Sequence, residues 1–395
     1  MKVLLLVHGL PVGGTEMMVC HLARYLRGVG VEVEVGCLDV VGELGEDLRR
    51  EGFVVIEFGR RPGFDVRLPL RIARQVKQAA YDVVHAHHYT CFCYGALSKL
   101  RRGVPLVFTE HGRFYPDLPS WKRRVFTALF SRQAEHVTAV SAGVRQSLLK
   151  VERFRRRDIE VLYNGIDVER FTRASQRPRE ELRERCGLPI DAEIIGTVGR
   201  LDTIKNHSLL LHALSMLRKQ SCPSLLAIVG GGPERARLED LARHLGLEDH
   251  VLFLGQRQNT EEIFASLDVF CLSSLSEGTP MTLLEAMAAR VPIVSTGVGG
   301  IPEILDTEQE AVLIKGTPPD CRDLRNATDS DYVTEFSEAL KRVLRDADLR
   351  DRLASKALLR VRRDFSLDTI CQRYLEIFGR VAGKHPDRQP AGQWG

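Results

Sequence analysis

The chain has 395 residues, of which 44% are hydrophobic and 27% are charged, and its formal net charge is +4. This composition is typical of a soluble globular protein and excludes a collagen-like, low-complexity or disordered chain. The length suffices for two domains of ordinary size, each with a full core.

Two features bear on the compartment. The nine cysteines are an odd number without C-x-x-C spacing, which argues against a disulfide framework and favours a reducing cytoplasm. The first residues, KVLLLVHGL, carry one positive charge and no small-residue cleavage site, so they predict a first strand and not a signal peptide. No apolar stretch reaches the length that spans a membrane. We therefore expect a cytoplasmic protein.

The first half of the chain alternates strands and helices. An apolar run over 3–7 leads through the turn HGLPVGGTE into an amphipathic helix over 16–27. Gly13 and Gly14 in this turn lack side chains, so their backbone amides could approach a phosphate or a sugar at the helix start. A turn that merely links strand and helix is the alternative. Because the alternation continues, we predict a parallel sheet with helices on both faces.

Histidines follow two strands of this predicted sheet at their carboxyl ends, where such sheets bind ligands. His85, His87 and His88 end the strand DVVHAHH. A zinc site is disfavoured there, because no carboxylate or cysteine lies at ligand spacing and alternate strand residues point to opposite faces. His111 follows the strand VPLVFTE. It is a candidate to bind a sugar hydroxyl or polarise a reacting centre, with a satisfied structural histidine as the alternative.

Basic residues concentrate in the first half. Residues 1–170 hold 26 Lys and Arg against 19 Asp and Glu, and residues 99–157 hold 14 against 4. The clusters KLRR, KRR and RFRRR flank apolar helices such as WKRRVFTALF. This pattern suits docking on an anionic membrane surface as well as a plain solvated face.

After Phe171 the sequence becomes polar and rich in arginine, which predicts a linker followed by a short helix. Alternation then resumes and predicts a second parallel-sheet domain that faces the first across a cleft. Arg200 and Lys205 follow one of its strands and place two cations where a pyrophosphate could sit. Glycine turns at 230–232 and 299–300 precede helices and favour phosphate in the same way.

The stretch 268–290 joins a short buried strand to a helix through the loop SSLSEG. Glu277 lies in the loop and Glu285 in the helix, while Thr279 and Pro280 fit an N-cap and the first helical position. A helix start carries about half a positive charge and attracts phosphate. A ligand along this helix could therefore meet both carboxylates. A solvated loop glutamate and a helix-surface glutamate are the alternative.

Seven motifs lie along most of the chain: GGTE (13–16), TEHG (109–112), NGID (164–167), VGRLDTIKNH (198–207), GGGPE (230–234), EGTPMTLLE (277–285) and VGGIPEI (298–304). Together, and in this order, they resemble the motifs of the retaining glycosyltransferases of GT-B fold, family 4, also called glycosyltransferase group 1. Each motif alone would be weak. The resemblance implies an α/β protein of two facing Rossmann-like parallel-sheet domains, with a C-terminal helix that crosses back to the first.

The resemblance also implies an activity, the transfer of a sugar from a nucleotide diphosphate sugar to an acceptor with retention of anomeric configuration. The second domain would bind the donor and the first the acceptor, without a metal or another cofactor. The implied catalytic residues are His111 near the anomeric carbon, Arg200 and Lys205 at the diphosphate, and Glu277, which positions the sugar and is not a nucleophile. The implied donor-binding residues are Gly13, Gly14, Asn164, Gly199, Gly232, Gln256, Gly278, Thr279, Pro280, Met281, Thr282 and Glu285, the last for the ribose hydroxyls.

The predicted domains are an acceptor domain at 1–171, a donor domain at 190–362, a returning helix at 363–382 and a disordered tail at 383–395. A polar insertion at 315–332 departs from the family's pattern. It contains Asp329-Ser330-Asp331, a D-x-D triplet of the kind that metal-dependent transferases use. Because no apolar strand precedes the triplet, a surface loop is the expected structure.

Other functions stay open at this stage. The preferred partners are a nucleotide-sugar donor, a lipid-linked or growing polysaccharide acceptor, and an anionic membrane surface on the inner face of the cytoplasmic membrane, with no nucleic acid. The alternatives are a transferase that acts on a soluble acceptor, a non-hydrolysing nucleotide-sugar epimerase and a non-catalytic binding protein. A dinucleotide dehydrogenase is disfavoured, because no G-x-G-x-x-G follows either first strand with an acidic residue about 20 positions on.

Overall fold

The computed structural model describes residues 1–100, 103–112, 121–154, 158–321 and 330–383. The chain divides into two compact units. The first comprises Met1–Gly165 and the segment from Leu367 onward, and the second comprises Ile166–Ser366. Each unit is built on one parallel sheet.

The sheet of the first unit has seven strands in the order β3-β2-β1-β4-β5-β6-β7. The chain winds outward from β1 in one direction and then from β4 in the other, so the winding reverses between these two neighbours. In open parallel sheets such a reversal opens a crevice at the carboxyl ends of the strands. The strands are β1 (Lys2–Val7), β2 (Glu32–Cys37), β3 (Val54–Glu57), β4 (Val83–His87), β5 (Leu106–Glu110), β6 (His136–Ala139) and β7 (Glu160–Val161).

Helices cover both faces of this sheet, which explains why its central strands are apolar along nearly their whole length. In β1, for example, Val3, Leu4, Leu5 and Leu6 are all completely buried. The helices that follow these strands are α1 (Gly14–Gly28), α2 (Glu43–Arg50), α3 (Leu68–Ala79), α4 (His88–Lys99), α5 (Trp121–Phe130) and α6 (Ala142–Lys150).

The second unit repeats the same construction with six strands in the order β10-β9-β8-β11-β12-β13. Its winding reverses between β8 and β11. The strands are β8 (Ile194–Val198), β9 (Leu225–Val229), β10 (Val251–Gly255), β11 (Val269–Leu272), β12 (Ile293–Thr296) and β13 (Val312–Ile314). The helices are α7 (Val168–Ala174), α8 (Arg179–Cys186), α9 (His207–Lys219), α10 (Arg235–His244), α11 (Thr260–Ser266), α12 (Met281–Ala288), α13 (Ile301–Ile304), α14 (Asp331–Arg345) and α15 (Ala347–Asp364).

The short helix predicted after Phe171 is present as α8, whereas the predicted linker before it consists of the end of α7 and a short turn within the second unit. Arg183 in α8 is only 5% exposed. Its guanidinium group donates to the carbonyl oxygens of Ser266 (3.1 Å) and Ala192 (2.9 Å) and to the carboxylate of Asp268 (2.8 Å). The arginine content suggested a solvated segment, whereas this arginine satisfies interior carbonyl groups.

The C-terminal helix α16 (Leu367–Val381) packs in the core of the first unit. Its buried face joins α1 and the sheet through Ile370, Tyr374 and Phe378. The Tyr374 hydroxyl lies 3.3 Å from Oγ1 of Thr109 at the centre of the sheet. The predicted tail from residue 384 and residues 322–329 of the predicted insertion lie outside the described residues, and Asp329 is among them. None of the helices in the described ranges combines the length and the apolar character needed to cross a membrane.

Candidate active site

The predicted donor-site residues of the second unit lie at the carboxyl ends of its strands, around the reversal between β8 and β11. Gly199, Arg200 and Lys205 follow β8, and Glu277 follows β11. The strand order makes β8 and β11 direct neighbours. Residues from separate motifs therefore meet at the point where parallel sheets bind ligands.

Close backbone contacts fix the loops around this point. A Cβ atom on Gly230 would lie 1.9 Å from the carbonyl oxygen of Gly199, and one on Gly232 would lie 2.3 Å from that of Leu201. Both glycines also have positive φ, at 140° and 158°. Any side chain would separate the two loops, so only glycine allows this approach. Further along the edge, the exposed Gln256 packs over Gly231, where a Cβ would lie 3.3 Å from the Gln256 Cγ.

Lys205 and Glu277 form an ion pair at the centre of the site. The Lys205 Nζ donates to Oε1 of Glu277 at 2.6 Å, and the Ser274 hydroxyl donates to the same oxygen at 2.6 Å. Asp202 holds the backbone of the lysine by accepting from the amides of Ile204 and Lys205, both at 3.1 Å. Glu277 is therefore fixed by two donors before a ligand binds. An ammonium group has three N–H donors, so the lysine keeps others for a ligand.

Arg200 differs from Lys205 in its exposure. Its side chain is 73% exposed and pairs with Asp202 at 2.7 Å. An exposed ion pair of this kind contributes little to stability, on the order of 0–1 kcal/mol. The guanidinium group can therefore leave Asp202 at little cost when a stronger anion arrives.

The loop that carries Glu277 is fixed by backbone contacts with the glycine turn at 299–300. The Gly300 amide donates to the Glu277 carbonyl at 3.0 Å, and a Cβ atom on Gly299, which has a φ of 56°, would lie 2.0 Å from the same oxygen. The helix α12 then starts at Met281 with Pro280 as the N-cap. The predicted N-cap, Thr279, is thus wrong by one position, since Pro280 keeps an extended conformation and cannot be the first helical residue.

The start of α12 is open to a ligand in two respects. Its N-cap residue supplies no side-chain hydrogen bond to the first amides. The Oγ1 of Thr282 is buried and has no hydrogen-bond partner among the described residues. The helix α12 follows Gly278, Thr279 and Pro280, and its first amides and the Thr282 hydroxyl form a group of donors suited to an anion.

Glu285 lies one turn into α12, and its side chain is partly buried. Burial raises the pKa of this carboxyl from 4.5 to about 7, although Arg170 acts in the opposite direction. Arg170 is itself paired with Glu261 at 2.6 Å. A carboxyl group in this environment is a candidate functional group, and a neutral hydroxyl is the simplest ligand that it can bind.

In the first unit, the predicted histidines form one buried cluster at the ends of β4 and β5. The Nδ1 of His87 lies 2.8 Å from the Nε2 of His111, and His85 binds the hydroxyl of Thr109 at 2.7 Å. His88 starts α4 with a φ of 69° and contacts Glu110 at 3.3 Å. The sequence argument considered only ligand spacing along the chain, and it did not anticipate that β5 would place the Glu110 carboxylate beside His88.

Burial determines the charge of this cluster. It holds the pKa values of His85, His87 and His111 well below the usual range, and the neighbouring histidines lower them further. Burial also acts to lower the pKa of His88, but the hydrogen bond to Glu110 and the negative charges of Glu110 and Glu16 together outweigh it and raise that pKa. His111 is thus neutral and can exchange hydrogen bonds with a hydroxyl. Within the described residues, no group of three His, Cys, Asp or Glu side chains is arranged to hold a metal ion.

Of the remaining predicted residues of the first unit, Asn164 contacts this cluster, and Gly13 and Gly14 lie at the start of α1. Asn164 is buried and interacts with His111. Gly14 is the first residue of α1, and Gly13 is its N-cap in an extended conformation. A Cβ atom on Gly13 would meet only the Glu16 carboxylate, at 2.3 Å. A flexible side chain could therefore be accommodated at position 13, and the extended backbone there does not require glycine.

Sequence reasoning missed Ser274 and Asp202, the residues that orient Glu277 and the two cations. Asp202 had a signal, because an aspartate before T-I-K-N suits an N-cap whose carboxylate accepts from the next amides. Ser274 had none, since nothing in SSLSEG distinguishes one serine from another.

Two family models match the chain. The one described as Glycosyl transferases group 1 covers residues 178–360, and the one described as Glycosyltransferase Family 4 covers residues 12–170. Putative glycosyltransferase EpsF of Bacillus subtilis (strain 168) is 30% identical over 74% of this chain and 78% of its own length. D-inositol 3-phosphate glycosyltransferase of Corynebacterium jeikeium (strain K411) is 27% identical over 96% of this chain and 95% of its own.

A solved structure has the same architecture. Anabaena HepE in complex with UDP aligns with a TM-score of 0.80 and 23% identity, covering 96% of this chain and 100% of that one. At this identity the likeness establishes the fold. It confirms the predicted class of two parallel-sheet α/β units.

The environment of Glu285 predicts how stability depends on pH in the ligand-free protein. Between the unfolded pKa of 4.5 and the folded pKa of about 7, the folded state keeps a proton that the unfolded state releases. Stability therefore falls as the pH rises through this window. Glu285→Gln cannot lose a proton, so we expect it to be more stable than the parent at about pH 8, with the difference shrinking toward about pH 5. Urea unfolding across this range measures the effect.

The control is Glu248→Gln, which changes an exposed glutamate of the same unit. It should follow the parent at every pH. Parallel stability profiles for the parent and Glu285→Gln would contradict the assignment of a buried, proton-retaining carboxyl group.

Proposed function

The chain belongs to the glycosyl transferases of group 1 and family 4, and from that premise we propose that it transfers a sugar from a nucleotide diphosphate sugar to a hydroxyl acceptor with retention of configuration. The observation that carries the donor class is the group of donors at the β8–β11 reversal. Lys205 and Arg200 follow β8, and α12 follows the loop whose Glu277 binds Lys205, so all three sets of N–H donors belong to the same pair of strand ends. A diphosphate matches such an array better than any neutral ligand does.

The same residues suit the chemical step. Cleavage of a sugar–phosphate bond develops negative charge on the leaving diphosphate, and fixed donors aimed at that charge lower the barrier. Two cations and a helix start supply this stabilisation, so we propose that transfer needs no metal. HepE, whose solved complex contains UDP, supports the nucleotide class.

Glu277 is proposed to orient the sugar and not to attack it. One of its oxygens already accepts from Lys205 and Ser274, which reduces its nucleophilicity while keeping the carboxylate in a fixed position. Its other oxygen remains to accept from sugar hydroxyls. Retention then follows from attack on the face that the diphosphate leaves, with a phosphate oxygen taking the proton of the acceptor. His111, neutral and buried, is proposed to bind a sugar hydroxyl.

The acceptor is proposed to be a lipid-linked or growing polysaccharide chain reached at an anionic membrane surface. The support is α5, whose Trp121, Val125 and Leu129 are 71%, 52% and 67% exposed. Their spacing of four residues places them on one side of the helix. An exposed apolar stripe next to Lys122 is the arrangement of a helix that lies in a membrane interface.

Not all of the basic excess at 99–157 serves this surface. Lys99 pairs with Glu135, and Arg123 pairs with Glu152 at 3.5 Å. The arginines at 101, 102 and 155–157 lie outside the described residues. A soluble acceptor is the second candidate, and the relation to a D-inositol 3-phosphate glycosyltransferase over nearly the whole chain favours it.

We expect Lys205→Ala and Arg200→Ala each to lower kcat/KM about a hundredfold, because each removes a cation that stabilises the leaving group. Release of nucleotide diphosphate from UDP-, GDP- and ADP-glucose in the presence of acceptors measures the effect. Lys219→Ala, which removes an exposed lysine of the same unit, is the control and should match the parent. If both site variants stay within about twofold of the parent, the diphosphate assignment is wrong.

Transfer is expected to continue in EDTA, since the cations and the start of α12 take the place of a metal. The measurement is the initial rate before and after chelation, with manganese and magnesium added back. Complete loss of transfer in EDTA with recovery on addition of a divalent ion would refute metal independence. It would also direct attention to Asp331 at the start of α14.

The membrane proposal predicts binding to anionic vesicles at low salt. We expect the double variant Trp121→Ala, Leu129→Ala to weaken this binding at least about tenfold, because each truncation removes about 1.5–3 kcal/mol of apolar burial when the side chain is inserted. Raising the ionic strength should also weaken binding. Co-sedimentation with phosphatidylserine-containing vesicles measures both effects.

The control for vesicle binding is Leu359→Ala, which truncates a leucine that is 68% exposed in the second unit. It should bind as the parent does. A parent protein that stays in the supernatant with anionic vesicles, or a double variant that sediments equally well, would leave the soluble acceptor as the better proposal.

A further inference from the structure

Three charged or polar residues that the function above does not use meet at the carboxyl ends of the first three strands. His8 follows β1, Asp39 follows β2 and Arg60 follows β3. The Arg60 guanidinium group donates to both oxygens of Asp39, with Nε to Oδ1 at 2.7 Å and a terminal nitrogen to Oδ2 at 2.9 Å. His8 Nδ1 lies 3.1 Å from Oδ2. We call these three residues the edge triad.

The backbone fixes the edge triad as firmly as its side chains do. The Asp39 amide donates to the carbonyl of His8 at 2.9 Å, so these two residues are joined through both backbone and side chain. The Arg60 amide donates to the carbonyl of Leu38 at 2.7 Å. Such an arrangement leaves His8 with one orientation.

The triad also fixes which nitrogen of His8 carries a proton. The hydrogen bonds from Arg60, followed by that from His8, lower the pKa of the Asp39 carboxyl, so Asp39 is a carboxylate that can only accept. The Nδ1 of His8 must therefore carry the hydrogen and donate it. The Nε2 atom, which carries a lone pair in the neutral ring, remains available to a ligand.

Nothing within the described residues hydrogen-bonds to this Nε2. The His8 side chain is 40% exposed, and Asp39 is 33% exposed. His8 stands at the reversal between β1 and β4, the crevice edge that also carries the turn to Gly13 and the buried histidine cluster. A ligand in this crevice can reach the ring directly.

We propose that the edge triad is an acceptor subsite, in which the Nε2 of His8 binds a hydroxyl group of the acceptor. The proposal rests on the glycosyltransferase function above and assigns one side of it to named residues. His8 is the contact residue. Asp39 and Arg60 are positioning residues, which act only through the ring that they hold.

The charges of the triad select the chemistry of the group that it binds. Arg60 and Asp39 neutralise each other through a bidentate pair, so the triad with a neutral His8 ring offers no net charge to a phosphate. A hydroxyl can donate to the lone pair of the neutral ring or accept from an N–H of the protonated ring. The ligand group is therefore a sugar or polyol hydroxyl.

Two substitutions at position 8 separate this contact from a structural role. His8→Asn places an amide nitrogen near the original Nδ1 and keeps the bond to Asp39, but it has no atom at the position of Nε2. His8→Gln reaches the position of Nε2. If the triad merely joined strand ends, His8→Asn would be the milder change, whereas binding through Nε2 makes His8→Gln the milder one.

The experiment measures transfer from UDP-glucose to D-inositol 3-phosphate and to polyprenyl diphosphate N-acetylglucosamine in detergent, with full-length protein. For the acceptor that the parent uses, we expect His8→Asn to lower the acceptor kcat/KM about tenfold, the effect of one lost hydrogen bond to substrate. The donor KM, the acceptor-independent hydrolysis of UDP-glucose and the melting temperature should stay at parental values. His8→Gln should recover part of the loss, and the exposed-histidine control His244→Asn should show none.

The outcomes distinguish the inference from the function on which it rests. A parent that transfers glucose while His8→Asn keeps its acceptor kcat/KM overturns the inference alone. So does a variant whose donor and acceptor constants change together, or a His8→Gln that is worse than His8→Asn. A parent that releases no UDP with either acceptor, under conditions in which it binds UDP-glucose, overturns the proposed function and the inference with it.

Discussion

The reversal of winding between β8 and β11 brings together side chains that stand 72 residues apart, Lys205 and Glu277. The ion pair between them depends on backbone contacts that tolerate no side chain, at Gly230 and Gly232 against the β8 loop and at Gly299 against the Glu277 loop. Because glycine alone permits these approaches, the loops have little freedom to rearrange. A ligand then meets charges that are already in place, which is the condition under which fixed donors stabilise a transition state most.

The titratable groups at the strand ends differ in charge and burial between the two units. In the second, cations are paired but partly exposed, so an incoming anion can compete for them. In the first, burial keeps His87 and His111 neutral, and the hydrogen bond between them requires one nitrogen to donate and the other to accept. The second edge thus suits an anion, and the first suits neutral hydroxyl groups. The proposed transfer from a charged donor to a hydroxyl acceptor would use both environments.

The sequence predicted the parts of the molecule that depend on local patterns. Alternating apolar strands and helices led to two parallel sheets, and the position of each motif after a strand placed it at the carboxyl edge. What could not be predicted depends on contacts between distant segments. The pairing of Lys205 with Glu277, the carboxylate of Glu110 beside His88 and the edge triad each join residues from different strands. The buried position of Arg183 in α8 could not be predicted for a related reason, because its partners lie in other segments.

The position of α16 has a consequence for synthesis of the chain on the ribosome. The core of the first unit includes Ile370, Tyr374 and Phe378, whereas the second unit is complete at Ser366. Synthesis runs from the amino terminus, and domains generally fold as units. The amino-terminal unit therefore cannot complete its core, and the apolar face of α1 stays uncovered, until nearly the whole chain has emerged. The part that is made first is the part that finishes folding last. A chain that ended shortly before residue 370 would leave the amino-terminal unit without part of its core.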